Sequence, residues 1–572
     1  MKANKWLLLV ALSLVLSVVL AACGSKDKDD NKTAAPKEDD KATEQQSEET
    51  GEPDAEQVLN LIESAAIPSV DSAIVEDAVG FNVLNNVNEG LYRLNLENIA
   101  EPAMAAEEAE VSEDGLTYTF KLRDANWSDG TPVTAHDFVF AWQRAIDPAT
   151  GSPYGPFMMS GVIKNATAIS EEKMEVSELG VVAEDDKTLV VTLERPVPYF
   201  LSLMSFGTFY PQKEEFVTSK GDAYATNSDN LLYNGPFILT NWDGTGDSWT
   251  YKKNEHYWDA ENVKLETINV DVVKDSATAV KLYNDGKKDR ANVSGDLALQ
   301  YGTHAEAHNE STTALFYFKF NQERDGEKTP LANVNIRKAI AKSFQKEDLA
   351  DVVLANGSVA ANYLVPRNFA YDNNGTDFRD ISGEHLVYDA EEAKEYWTKG
   401  LEELGVTELE LEILGGDTEL SKKMNEYFKA QLETNLEGLT IKLKEVPFAV
   451  RLELDTNQNY DIQVSGWGPD FQDPISFMDL FVTNGTNNLM SFSNKEYDEL
   501  IAATKDELAL DPAARYEAFA KAEKILLEDE AAIAPIYQRG LIQLQKPYFK
   551  GLGVHPFGAD YSYKWAYISG KE

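Results

Sequence analysis

Between residues 389 and 464 the chain alternates helix and strand periodicities, and this run limits the fold more than any other feature. Asp389 followed by Glu392 marks a helix start, Leu409, Leu411 and Ile413 alternate as a strand, and Ser421 to Leu432 has helical spacing. Leu439, Ile441 and Leu443 form a second strand, a helix follows from about Phe448, and Ile462 to Val464 form a third. Strands joined by helices imply a parallel sheet with helices on its faces, so the fold class is α/β. Upstream, Val58 to Ile62 and Ala314 to Phe320 read as strands, and a second run of strands opens at Phe237. Leu116, Tyr118, Phe120 and Leu122 alternate with Thr117, Thr119, Lys121 and Arg123, the pattern of a half-buried strand. Thr134 with Asp137 resembles a capping box, and Phe138, Trp142 and Ala145 share one stripe of the helix that follows.

The third strand of the alternating run ends abruptly in Gly466-Trp467-Gly468-Pro469-Asp470. In open α/β sheets ligands sit beyond the carboxyl ends of strands, at such exits. The glycines leave backbone N–H and C=O groups uncovered, so an extended partner can pair with them as an added strand. Asp470 can then hold a positive charge at one end of that partner, most simply the α-amino group of a peptide. A surface turn with a packed Trp and a solvated Asp is the other reading of the same residues.

Lys2 and Lys5, the apolar stretch Trp6 to Ala22 and the small residues before Cys23 form a signal peptide, residues 1–22, too short for a spanning helix. Leu20-Ala21-Ala22-Cys23-Gly24 resembles the bacterial lipobox, which implies lipidation at Cys23, the one cysteine of the chain. Residues 23–56 lack the apolar content to offset ordering and read as a disordered tether, spanning on the order of 30 Å. The formal charge of −45 argues against a nucleic-acid partner and against a polybasic membrane-binding face.

No Gly-rich phosphate loop, Gly-x-Ser-x-Gly elbow or His-Glu-x-x-His occurs, so no enzyme and no cofactor is expected. His304 and His308 are four apart with no further His nearby, and a metal site is not expected there. The acidic stretches Asp243 to Asp247 and Asp372 to Asp377 lack EF-hand spacing and read as turns.

With these features in hand, the chain resembles the oligopeptide-binding lipoproteins of ABC importers, the peptide and nickel class (family 5) of extracytoplasmic solute-binding proteins. The resemblance is carried by Asn88-Glu89-Gly90-Leu91, Leu116 to Arg123, Trp127-Ser128-Asp129-Gly130, Thr134 to Phe138 with Trp142-Gln143-Arg144, Val334 to Ile340, and Gly466-Trp467 with Asp470. It implies a two-lobe periplasmic-binding-protein-like fold with an additional domain, hinged around a ligand cleft. Lobe I would combine 57–102, 220–312 and 528–572; 103–219 would be the extra domain II, and 313–527 lobe III. It implies that Asp470 pairs with a peptide α-amino group and that Gly466, Trp467 and Gly468 pair with the peptide backbone. Val75-Glu76-Asp77-Ala78 would face them from the other lobe, with Glu76, Asp77 and Ala78 at the cleft and Tyr154, Tyr317 and Tyr537 lining it. Arginines found before the Gly-Trp pair in some relatives are absent here, where Val464-Ser465 stands and Arg451 is the nearest basic residue upstream. The implied activity is peptide capture and delivery to permease subunits by a monomer anchored outside the bacterial cell membrane. Another cargo on the same fold (a signalling peptide, oligosaccharide, nickel chelate or haem) is the alternative, ahead of a secreted hydrolase.

Overall fold

The computed structural model describes residues 52–571, so the signal peptide, Cys23 and all but the end of the tether lie outside them. The ordered body begins earlier than the composition of residues 23–56 suggested. Asp54 N–H donates to the Ile568 carbonyl at 2.8 Å, and its carboxylate accepts the N–H groups of Gly570 and Lys571. Charge-assisted hydrogen bonds thus order a segment that has no apolar area to bury.

Strand β1 (Val58–Glu63) leads into helix α1 (Ala78–Val87). It pairs in parallel with a strand more than 200 residues later, in a sheet with β2 (Phe237–Thr240), β3 (Ser248–Lys253) and β4 (Thr267–Val272) ordered β1-β4-β3-β2. Leu59, Leu61, Ile268 and Val270 alternate inward against Trp249 and Tyr251.

The predicted half-buried strand lies in a separate antiparallel sheet of Glu110–Val111, Thr117–Lys121, Thr188–Thr192 and Val181–Asp185. Helix α2 (Ala135–Ile146) packs beside it, with Phe138, Trp142 and Ala145 buried, and Asp137 accepts the Thr134 N–H at 2.8 Å as the capping box requires. The short helix α3 (Tyr154–Met159) follows.

The alternating run builds part of a seven-stranded sheet of β5 (Arg290–Val293), β6 (Ala307–Phe320), β7 (Val359–Ala360), β8 (Leu409–Gly416), β9 (Leu439–Val446), β10 (Ile462–Trp467) and β11 (Ile533–Gln545). Its order is β5-β11-β6-β10-β8-β9, with β7 on β11. Helix α4 (Ala390–Leu404) precedes β8, α5 (Glu419–Asn435) joins β8 to β9, and α6 (Phe448–Thr456) joins β9 to β10; α7 (Pro512–Lys524) precedes β11. The expectation of a parallel sheet holds only where α5 and α6 make the crossovers, between β8, β9 and β10. The pairs β10–β6, β6–β11 and β11–β5 are antiparallel, because these strands arrive from distant parts of the chain without a crossover helix to fix their direction.

Strands β6 and β11 are long, 14 and 13 residues, and cross from the neighbourhood of β5 to that of β10. Their ladder slips between Ser311 and Leu315, where Gln538 Nε2 donates to the Thr312 carbonyl at 2.9 Å. The acidic stretches are turns: Asp243 accepts the N–H groups of Thr245 and Gly246, and Asp372 those of Asn374 and Thr376.

Candidate ligand-binding site

Strand β10 is paired on one side and largely open on the other. It follows β6 over its whole length, from Ile462 opposite Phe320 to Trp467 opposite Leu315, but meets β8 only at Ile462 and Gln463. Asn321 N–H donates to the Asp461 carbonyl at 3.0 Å, which phases the ladder so that odd-numbered residues turn their polar backbone to β6. Val464 and Gly466 therefore turn theirs the other way. The Val464 carbonyl accepts from Arg451 Nη1 at 3.2 Å, and beyond it the edge faces a cavity of about 970 Å³.

Packing demands glycine at 466. A Cβ there would stand 2.7 Å from the Phe316 ring, which is stacked at 4.7 Å on Tyr537, so the ring would have to give up that stack to make way. Gly466→Ala is expected to destabilise the protein by about 1–3 kcal/mol, read from the urea midpoint, through overpacking. Gly468 has no such neighbour, its Cβ position lying 3.9 Å from Ala314 Cβ, so the missing side chain there keeps the edge accessible.

Asp470 ends this segment inside the protein, 6% exposed. Its N–H donates to Ser476 Oγ at 2.9 Å, and Oδ1 accepts from Tyr154 Oη at 3.4 Å. Oδ2 has no hydrogen-bond partner among the described residues. Burial pushes this carboxyl well above the ordinary range, and the Tyr154 hydrogen bond offsets only part of that. The Tyr154 ring lies parallel to Trp467, centroids 6.2 Å apart, and Phe157 meets Trp467 edge-on at 6.1 Å. The result is an apolar, aromatic-walled recess with one under-satisfied carboxylate.

All ten residues named from the sequence for the ligand cleft line this one cavity: Glu76, Asp77, Ala78, Tyr154, Tyr317, Gly466, Trp467, Gly468, Asp470 and Tyr537. Asp77 is half engaged elsewhere, since its carboxylate caps α1 by accepting the Gly80 N–H at 2.9 Å. Tyr317 is buried edge-on against Phe481, and Tyr537 by its stack on Phe316. Several cavity residues were not named as site residues. Arg451 enters from α6 with its guanidinium 5.0 Å above the Phe448 ring, and Asp455 and Asp77 act on it through space. Lys319 and Asp455 pair at 2.5 Å. Arg539, Leu541 and Gln543 follow Tyr537 at every second residue of β11, and strand alternation from Tyr537 was the signal that would have found them.

Lys274 pairs with Asp417 at 2.8 Å, its carbonyl accepts the Glu419 N–H at 3.3 Å, and Tyr199 stacks on Phe471 at 4.5 Å. Residues 100–488 match the family described as Bacterial extracellular solute-binding proteins, family 5 Middle. The chain belongs to this family. Among relatives of this family 5 protein, the dipeptide-binding protein of Lactococcus lactis is 36% identical over 514 residues, covering 88% of this chain and 92% of the relative. The structure titled Listeria monocytogenes OppA bound to peptide is 50% identical, with TM-score 0.87, covering 91% of this chain and all, 100%, of that one. The Escherichia coli murein tripeptide-binding protein MppA is informative in two forms. One structure covers 91% of this chain and 100% of its own at 28% identity, with TM-score 0.82. Its unliganded open form covers 90% and 98% at 27% identity, with TM-score only 0.59. The family 5 chain described here is set unlike the open form.

Proposed function

We propose that this family 5 solute-binding protein captures oligopeptides by their backbone and α-amino group and delivers them to the permease of an ABC importer. The observation that carries the reading is Asp470, a buried carboxylate with one unpartnered oxygen, standing beside an unpaired strand edge in a cavity. A peptide satisfies both at once. Its backbone adds to β10 at Gly466 to Gly468, and its ammonium pairs with Asp470. A free carboxylate or a neutral sugar would leave Asp470 without a cation. The cavity, about 970 Å³, sits at the upper end of small-ligand pockets and has room for several residues. Arg451, whose charge no carboxylate contacts directly among the described residues, suits a carboxylate of the cargo.

In this reading residues 57–102, 220–312 and 528–572 form one lobe, 313–527 the other, and 103–219 the extra domain that brings Tyr154 to the ligand. β6 crosses from one lobe to the other at residues 312 and 313 with β11 paired alongside it, and the slip in their ladder is a suitable place for bending. Closure follows from tighter binding to the closed state, and no covalent reaction takes place. The protein acts as a monomer, held at the extracytoplasmic face of the membrane by lipid on Cys23.

Calorimetry of one short peptide, with and without an acetyl group on its amino end, tests this. Removing the ammonium charge is expected to cost roughly 2–5 kcal/mol, because the carboxylate is left unpaired. Equal affinity for the two would refute the role of Asp470, and binding by neither would refute peptide as the cargo.

A further inference from the structure

The cavity has a second charged pole, away from Asp470. On β11, Tyr537, Arg539, Leu541 and Gln543 alternate onto its wall. Tyr537 is level with Gly466, both being paired with Phe316, and six residues of strand set Gln543 about 20 Å further along. There Arg539 pairs with Asp560 at 3.2 Å and Arg290 with Glu310 at 3.0 Å. Glu63, the last residue of β1, faces the same space. Both guanidiniums that act on it are held by other carboxylates, so the pole contains three carboxylates against two cations.

A second observation points the same way. Gln543 is 1% exposed, and its Nε2 donates to Tyr561 Oη at 3.0 Å, but its Oε1 has no hydrogen-bond partner among the described residues. A buried acceptor without a donor costs free energy, and native interiors seldom leave one so. Arg290 Nε likewise lacks an acceptor, which a backbone carbonyl of an extended ligand can supply.

Resting on the peptide-binding reading above, we propose that this pole receives the ammonium or guanidinium of a lysine or arginine side chain of the bound peptide, with Glu63 as its partner. A cation brings the pole to three charges of each sign and donates to the unmatched Gln543 oxygen. An acidic side chain would make four carboxylates against two guanidiniums. Burial, with the charge of Asp560 added, pushes Glu63 up to about 7 against the pull of Arg290 and Arg539, and Tyr251 and Tyr563 pack near it. Near neutral pH the arriving cation therefore displaces a proton from Glu63.

The test uses the full-length chain and a free-amino hexapeptide scanned at positions two to six with lysine, norleucine or glutamate, with dissociation constants read by calorimetry. At one position lysine is expected to bind about tenfold more tightly than norleucine, and glutamate more weakly than either. In Glu63→Gln the ratio of lysine to norleucine affinity is expected to fall toward one. Equal binding of lysine and norleucine at every position, or a preference for glutamate, overturns the proposal while leaving peptide capture intact. If no peptide of the series binds, the peptide reading itself falls, and this subsite with it.

Discussion

Asp470→Asn is expected to weaken binding of a free-amino peptide by about 30-fold to 4,000-fold, the equivalent of roughly 2–5 kcal/mol, while stabilising the folded arrangement seen here. Both effects come from one buried oxygen. On the proposed function, Asp470 supplies the anion to the peptide ammonium, and asparagine cannot. In the arrangement seen here the carboxyl is desolvated, with Tyr154 Oη at 3.4 Å as its one side-chain donor among the described residues, and its folded pKa is raised well above the usual value. A raised carboxyl means the folded protein keeps a proton that the unfolded chain has released. Wild-type stability therefore falls as pH climbs above about 4, by up to about 1.4 kcal/mol per unit, until the folded group also ionises. The asparagine variant has no such dependence, so the gap in stability between variant and wild type widens with pH over that window. Thermal unfolding across pH, with and without peptide, reads both arms. A variant that binds as tightly as wild type would remove Asp470 from the binding account, and a constant gap would remove its burial cost.

The second large effect lies in a buried ion pair at α7. Glu523→Ala is expected to lower the unfolding free energy by about 3–5 kcal/mol. Glu523 on α7 and Arg379 are both 0% exposed and pair at 2.5 Å. The other carboxylate oxygen accepts the N–H groups of Leu364 and Val365 at 2.8 and 3.0 Å, and Ser382 Oγ donates to the oxygen that Arg379 holds. Truncation leaves a buried guanidinium and two backbone donors without their acceptor. Burial pushes the Glu523 carboxyl up, but the Arg379 charge and the donated hydrogen bonds prevail and hold it below its usual value. A lowered folded pKa gives stability that is present above the unfolded value of about 4.3 and lost as pH falls through the folded one. Wild type should thus lose its advantage over Glu523→Ala in acid. A variant within about 1 kcal/mol of wild type at neutral pH, in urea unfolding, would show the network to be dispensable.

Much of the candidate site was legible because it lies on one short stretch whose residues each do something local. Gly466 makes room for the Phe316 ring, Gly468 keeps a strand edge open, Trp467 stays as a wall, and Asp470 follows within four residues of Gly466. Side-chain alternation likewise revealed which faces of Leu409 to Ile413 and Leu439 to Leu443 turn inward. Alternation says nothing of which strand lies alongside, and here the sequence was mute. The β6–β11 ladder joins residues more than 200 apart, and β1 pairs with β4 at a similar separation, so neither direction nor register is written locally. Asp54 was hidden for a related reason: its partners, Ile568, Gly570 and Lys571, come from the far end of the chain. The second pole was missed because Glu63, Arg290, Arg539 and Gln543 come from three separate strands and gain meaning only once the strands meet.

The position of β11 governs when this receptor becomes competent during its manufacture. A chain emerging from its amino end has completed β1, β6 and β10 long before Ile533 to Gln545 appear, yet the sheet stays split between β5 and β6 without them. Tyr537, which props Phe316 against Gly466, arrives with the same strand. Until residue 545 has been delivered, the cavity lacks the wall that Tyr537, Arg539, Leu541 and Gln543 build.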